Sequence, residues 1–213
     1  MILIITTTTG CPNNCSYCPQ ELYLSRYKGV KTLTLDNFKK ILKNVPKDVK
    51  IDFSGYSEPF QNPKCSEMIT YAYTQGYKVQ VFTTLNGFTE EDAIKLKDVK
   101  FERFTHHNVI PDQYIPDFID DTILPEVLDK TTRAGALGDR QMVVSKGCKM
   151  DDNDNMSKDK FSYNSMTPNG DVYLCCMDWG LEHKLGNLFK TNLKDLQRDD
   201  MYDLCHHCEY SKC

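Results

Sequence analysis

Three cysteines within one short loop, Cys11-Pro12-Asn13-Asn14-Cys15-Ser16-Tyr17-Cys18, follow directly on an apolar, β-branched run, and no other feature restricts the chain as strongly. The fold has to deliver three thiols from the end of one strand. The other cysteines are grouped as well: of ten in all, Cys148, Cys175, Cys176, Cys205, Cys208 and Cys213 crowd the last third, and Cys65 stands alone. C-x3-C and C-x2-C spacings bring several thiolates around one metal centre, whereas a reducing compartment disfavours disulfides. Clustered thiolates indicate zinc or an iron–sulfur cluster.

The 213 residues suffice for one sizeable core, or for one domain with a small annex. Residues 1 to 7 read as a buried strand, and Leu35 to Val45 has helical spacing that stops at Pro46. Lys50 to Phe53 reads as a second strand ending in Ser54-Gly55-Tyr56-Ser57-Glu58-Pro59, followed by a helix from Cys65 to Gln75 that closes at Gly76. A third strand, Tyr77 to Thr84, ends in Leu85-Asn86-Gly87; Thr89-Glu90-Glu91-Asp92 then opens a capped helix reaching Lys97, and Phe101 to Val109 is a fourth strand. Strands alternating with helices imply parallel βαβ units, whose functional residues gather at the carboxyl ends of the strands.

After Pro111 the pattern becomes irregular, and one further strand is expected at Gln141 to Val144. A full eight-stranded barrel does not fit. Met150 to Lys160 reads as a polar surface loop, and Phe161 to Met166 with Asp171 to Cys176 as a hairpin turned by Pro168-Asn169-Gly170. The expected fold is α/β: a shortened partial (βα) barrel of parallel strands over residues 1–140, and a small cysteine-rich module containing a β-hairpin over 141–213.

With 26 basic and 30 acidic residues the formal charge is -4, which lacks the cationic footprint that nucleic acid requires. No apolar stretch of about 18 residues could span a bilayer, and Met1-Ile2-Leu3-Ile4-Ile5 runs into threonines without a charged leader region. The expectation is a cytoplasmic protein with neither nucleic acid nor membrane as partner.

Three thiolates leave one iron of a 4Fe-4S cube without a cysteine, and such an iron can chelate the amino and carboxylate groups of S-adenosylmethionine. The C-x3-C-x2-C spacing, with an aromatic residue, Tyr17, before the last cysteine, resembles the radical S-adenosylmethionine (SAM) superfamily. The resemblance implies that Cys11, Cys15 and Cys18 hold the SAM-binding cluster beside Tyr17. Gly55-Tyr56-Ser57-Glu58-Pro59 resembles the family's glycine-rich GGEP-type segment, with Tyr56 and Ser57 in place of small residues. That likeness implies that Gly55, Ser57, Glu58 and Pro59 surround the cofactor's amino group. Thr83-Thr84-Leu85-Asn86-Gly87 is similar to the family's TNG segment with a leucine inserted, which implies Thr84 and Asn86 near the ribose. Arg133, in Thr132-Arg133-Ala134-Gly135, resembles an arginine-glycine segment of the same group and is a candidate partner for the cofactor's carboxylate.

Cys148, then Gly170-Asp171-Val172-Tyr173-Leu174-Cys175, then Cys205-His206-His207-Cys208 and Cys213 resembles the SPASM or twitch module of that superfamily, as does Leu185-Gly186-Asn187-Leu188 between them. The implied auxiliary 4Fe-4S cluster takes Cys148, Cys175, Cys205 and Cys208, with Cys176 and Cys213 unassigned; a four-cysteine zinc site is the alternative. His106 and His107, at the end of the fourth strand, are candidate proton acceptors, or else simply polar strand-end residues. Asp178 and Trp179 stand where a route between clusters would run.

Taken together, the resemblances imply reductive cleavage of SAM, driven by a flavodoxin- or ferredoxin-type reductant, and abstraction of a substrate hydrogen atom. The expected outcome is two-electron oxidation of a small molecule. The absence of a peptide-docking segment before the first strand favours that over modification of a peptide or protein side chain. A zinc-stabilised binding module is the non-enzymatic alternative.

Overall fold

The computed structural model describes residues 1–109, 115–119, 121–123, 133–137, 142–145, 147–148, 163–196 and 202–212. Its centre is β1, Ile2–Ile5, all four residues buried, as expected for a strand covered on both faces. Four parallel strands extend the sheet on one side: β2 (Lys50–Phe53), β3 (Val79–Thr83), β4 (Arg103–His107) and β5 (Asp121–Ile123). Residues 142–145 form no strand; Met142 and Val144 are 65% and 74% exposed, so the apolar residues of that segment had no face to bury.

Four helices, α1 (Gln20–Arg26), α2 (Leu35–Leu42), α3 (Cys65–Thr74) and α4 (Glu90–Leu96), accompany these strands. Thr34 caps α2 by accepting the Asn37 N–H, and the buried Phe38, Ile41 and Leu42 turn its apolar stripe inward. In α3 the buried stripe is Cys65, Met68, Ile69 and Ala72, and the helix stops where Gly76 takes φ +84°. Thr89 and Asp92 form a reciprocal capping box on α4.

Beyond these units the chain adds β6 (Gly147–Cys148), β7 (Tyr163–Met166), β8 (Asp171–Tyr173), β9 (Lys184–Asn187) and β10 (Ser211–Lys212). β7 does not start a sheet of its own. It pairs in parallel with the free edge of β1, from Ile2 opposite Tyr163 to Ile5 opposite Met166. β8 and β9 follow antiparallel, which gives the eight-stranded order β5-β4-β3-β2-β1-β7-β8-β9, while β6 and β10 form a separate pair. The β7–β8 turn is closed by the Gly170 N–H donating to the Thr167 carbonyl at 2.9 Å, with Gly170 at φ +79°. One core accordingly runs from Leu3, Phe38, Phe53, Met68 and Phe104 through Met166, Val172, Leu188 and Leu193. Among the described residues no helix is long and apolar enough to cross a membrane.

The Tyr77 hydroxyl joins this core to the exit of α2, within 2.9 Å of the Leu42 carbonyl and 2.7 Å of the Val45 carbonyl. Tyr77→Phe keeps the ring and strands both buried acceptors. It is expected to cost about 1 to 2 kcal/mol, read from the urea midpoint.

Candidate active site

The loops leaving β1, β2 and β3 meet at one end of the sheet and are tied by side chains that sequence reasoning passed over. Gly55 has φ +71°, and a Cβ there would come within 2.3 Å of Thr6 Oγ1, so only glycine lets the β2 loop lie against the end of β1. In return Thr6 Oγ1 accepts the Tyr56 N–H at 3.1 Å, and Thr7 Oγ1 donates to the Pro59 carbonyl at 2.8 Å.

Glu58 is 3% exposed and its carboxylate is engaged on both oxygens. Oε1 accepts from the Phe60 N–H at 3.2 Å and from Thr83 Oγ1 at 2.5 Å; Oε2 accepts from the Thr84 N–H at 2.7 Å and Thr84 Oγ1 at 2.8 Å. Burial still raises its pKa, against the pull of these four donors. The network continues outward: Asn13, from between Cys11 and Cys15, donates to Thr84 Oγ1 at 2.6 Å, Asn86 donates to Asn13 Oδ1, and Gln61 donates to Asn86 Oδ1 at 2.9 Å. Glu58 thus binds the β2 and β3 loops together, while its neighbour Ser57 keeps a buried Oγ without a partner among the described residues.

Cys11, Cys15 and Cys18 are half-buried. The loop is tightened by the Cys18 N–H donating to the Cys15 carbonyl at 3.0 Å. Burial, and then the charges of Cys11 and Cys15, push the Cys18 thiol up to about 11, against the opposing charge of Arg133. Tyr17, 8% exposed, shares a hydrogen bond with Cys15. Among the described residues no three potential ligands converge on a single ion, and cysteines on the separate irons of one cube have no need to. The loop of three thiols and the orphaned buried Ser57 hydroxyl fit a SAM-binding cluster.

A second group of thiols lies in the C-terminal module. Cys148 stands opposite Ser211 in the β6–β10 pair, and the Ser211 N–H donates to the Cys208 carbonyl at 3.1 Å. The charge of Cys208 is felt by Cys175 and by Cys176, and that of Cys148 by Cys176 and by Cys208, so these four thiols lie near one another. Cys205 precedes Cys208 on a one-turn helix, Asp203–His206. Cys213 lies outside the described residues. Cys65, fully buried in α3, takes no part.

The two groups are linked through Tyr56, whose size was the anomaly in its motif. Its hydroxyl donates to the Cys175 carbonyl at 3.0 Å, and its ring lies 4.9 Å from Tyr23 and 5.0 Å from Trp179. Trp179 packs edge-on against Tyr56 and Tyr23, whereas Asp178 is occupied in the backbone, accepting the Glu182 and His183 N–H groups at 3.0 and 2.9 Å. Arg133 reaches Tyr17, donating from Nε to its carbonyl at 3.2 Å. The two histidines part company: His106 shares the helix-covered face with Phe104 and is fully buried, whereas the alternate His107 is half-buried on the other face, 6.0 Å from Phe82.

On that second face Asp52 is the unanticipated residue. It is 3% exposed and is hydrogen-bonded by Ser54 Oγ at 2.7 Å and Gln80 Nε2 at 2.6 Å, with no ion pair among the described residues. Burial raises its pKa to about 6.

A parallel sheet whose first loop gathers three thiols, and whose added hairpin leads to a second thiol group, defines an iron–sulfur enzyme on a partial (βα) barrel. The chain belongs to the radical SAM superfamily: its family model matches residues 5–138, and that of the SPASM iron-sulfur cluster-binding domain matches residues 159–210. Proteins of this kind bind SAM on a 4Fe-4S cluster and carry auxiliary clusters in the SPASM module. Among solved structures, BtrN in complex with AdoMet and 2-DOIA is similar at a TM-score of 0.70 and 17% identity, covering 93% of this chain and 82% of that one. SuiB from Streptococcus suis, bound to precursor peptide SuiA, is similar at 0.60 and 13%, covering 97% and 69%. A tagged anSMEcpe with bound AdoMet is similar at 0.50 and 12%, covering 98% and 83%.

Glu58→Gln sets an amide N–H against fixed backbone N–H groups whichever way it turns. By loosening the β2 and β3 loops that line the site, the variant should weaken SAM binding at least about tenfold, about 1.4 kcal/mol; an unchanged dissociation constant would confine Glu58 to holding the fold. For Asp52 the folded pKa of about 6 exceeds the unfolded value of about 3.9. Its contribution to stability is therefore present below the unfolded value and lost as pH rises through the folded one. Asp52→Asn keeps both hydrogen bonds, since the Ser54 hydroxyl and the Gln80 amide can reverse. The variant should be more stable than wild type at pH 8, by up to about 3 kcal/mol, with the gain shrinking toward pH 5.5 in paired denaturation curves.

Proposed function

We propose that this protein oxidises a small molecule by two electrons, with the first cluster held by Cys11, Cys15 and Cys18 and an auxiliary 4Fe-4S cluster held by Cys148, Cys175, Cys205 and Cys208. When loaded, these sites supply reductive cleavage of SAM to methionine and a 5'-deoxyadenosyl radical, and an acceptor for one electron. The protein's own residues position the reactants. The loop from Gly55 to Pro59, with the Ser57 hydroxyl that has no partner among the described residues, receives the amino group of SAM; Thr84 and Asn86 stand toward the ribose, and Arg133 toward the carboxylate. His107 is available to take a proton. A flavodoxin- or ferredoxin-type protein supplies the electron.

The observation that carries the reading is the hydrogen bond from Tyr56 to the Cys175 carbonyl. It brings the loop after β2 into contact with Cys175, which supports a site served by both clusters. The likeness to BtrN over most of both chains supports a small-molecule substrate; the likeness to SuiB bound to a peptide supports the other reading.

The two readings separate by isotope transfer. Anaerobically reconstituted protein with strong reductant is incubated with small alcohols deuterated at carbon, or with deuterated peptides, and deuterium is measured in 5'-deoxyadenosine. Transfer from an alcohol, with a product two mass units lighter than its protiated counterpart, is expected; transfer from peptides alone would overturn the proposal. Cys11, Cys15 and Cys18 changed to alanine should abolish 5'-deoxyadenosine. Cys205 and Cys208 changed together should preserve it and remove the oxidised product, while iron falls from about eight to about four per chain. A folded variant lacking four irons that still makes product at full rate would assign the electron another path.

A further inference from the structure

Arg133, Ala134 and Gly135 have φ values of +47°, +55° and +85° in succession. Glycine adopts left-handed backbone freely, whereas arginine and alanine do so under constraint. The constraint comes from Glu209. Its Oε1 accepts the Arg133 N–H and its Oε2 the Ala134 N–H, each at 3.1 Å. Successive N–H groups turned to one side form an anion-binding concavity, and this carboxylate fills it. The turn is closed by the Ala136 N–H donating to the Arg133 carbonyl at 3.2 Å.

Glu209 follows Cys208 directly, and 75 and 76 residues separate it from the two groups it holds. From the turn so fixed, the Arg133 side chain lies on the first cysteine loop. Nε donates to the Tyr17 carbonyl at 3.2 Å, and the guanidinium stands 5.6 Å from the centre of the Tyr17 ring, within cation–π range. Tyr17 in turn precedes Cys18 and is hydrogen-bonded to Cys15. A single chain of contacts therefore runs from Cys208 through Glu209, the left-handed turn, Arg133 and Tyr17 to the thiols of the first group.

We propose that Glu209 is a positioning residue through which the C-terminal cysteine module sets the first cysteine loop for SAM: the carboxylate imposes the left-handed turn, and the turn aims Arg133 at Tyr17. SAM binding at the first site then depends on the Cys208–Glu209 segment being in place. The inference rests on superfamily membership and not on the identity of the substrate.

The test uses the full chain, reconstituted anaerobically, with iron content, gel filtration, the SAM dissociation constant and the electron paramagnetic resonance spectrum of the reduced first cluster with and without SAM. Glu209→Ala should retain about eight irons, bind SAM at least tenfold more weakly and show a diminished spectral change on SAM addition. Glu209→Gln, which keeps one acceptor oxygen, should be intermediate. Two combinations separate positioning from general damage. Ala134→Gly in the Glu209→Ala background should recover part of the affinity, because glycine takes the left-handed turn unaided. Arg133→Ala combined with Glu209→Ala should bind SAM no more weakly than Arg133→Ala alone, as for two residues acting through one contact. Wild-type affinity in folded, fully loaded Glu209→Ala, or additive losses in the double variant, would overturn the proposal. A wild-type cluster whose spectrum ignores SAM would instead count against the superfamily chemistry.

Discussion

Four hydrogen bonds converge on the carboxylate of Glu58, and the arrangement of the first site depends on them. The loops after β2 and β3 leave adjacent strands with no backbone ladder to hold them. A buried charge that accepts from both is a strong way to fix their spacing, because each donor withdrawn leaves an acceptor in a low-dielectric setting. From Thr84 the same constraint passes to Asn13, and so into the cysteine loop. Loop geometry that could otherwise drift is set by the fully buried end of the sheet.

Asp52 makes the contrasting case. It too is a buried carboxylate, yet its hydrogen bonds come from two neutral donors, and the charge of Arg103 adds only the smallest of the pulls toward ionisation. The fold retains a group whose ionisation costs stability near neutral pH, in the face of the sheet that carries His107 and not the helices. Sites of this kind accumulate where chemistry or recognition needs them.

Much of this was legible in the chain itself. Lys50 to Phe53 reads as a strand and is one, and the Thr89 to Asp92 cap forms as its residues dictate, because alternation and capping are local chemistry. The thiol loop was legible for the same reason. What escaped was non-local. β5 and β9, Asp-Thr-Ile and Lys-Leu-Gly-Asn, each hold a single apolar side chain and so show no alternation, and α1 starts at Gln20 behind Pro19 without a capping side chain. The apolar run Met142 to Val144 reads as a strand but pairs with none among the described residues. Asn13, Tyr56 and Glu209 act through partners 71, 119 and about 75 residues away, and no spacing rule announces such pairs. Tyr56 alone left a trace, as a bulky residue where its motif is usually small.

The parallel pairing of β1 with β7 has a mechanical consequence. Two halves joined by a flexible tether could swing apart to admit a substrate, but here the seam between them is a ladder inside one continuous eight-stranded sheet. Opening it would break hydrogen bonds at the centre of the molecule, where the strands are covered on both faces. Entry and exit are thereby left to the segments beyond the carboxyl ends of the strands. The spacing between the first cysteine loop and the hairpin that leads to Cys175 is thereby built into the sheet and not left to a linker.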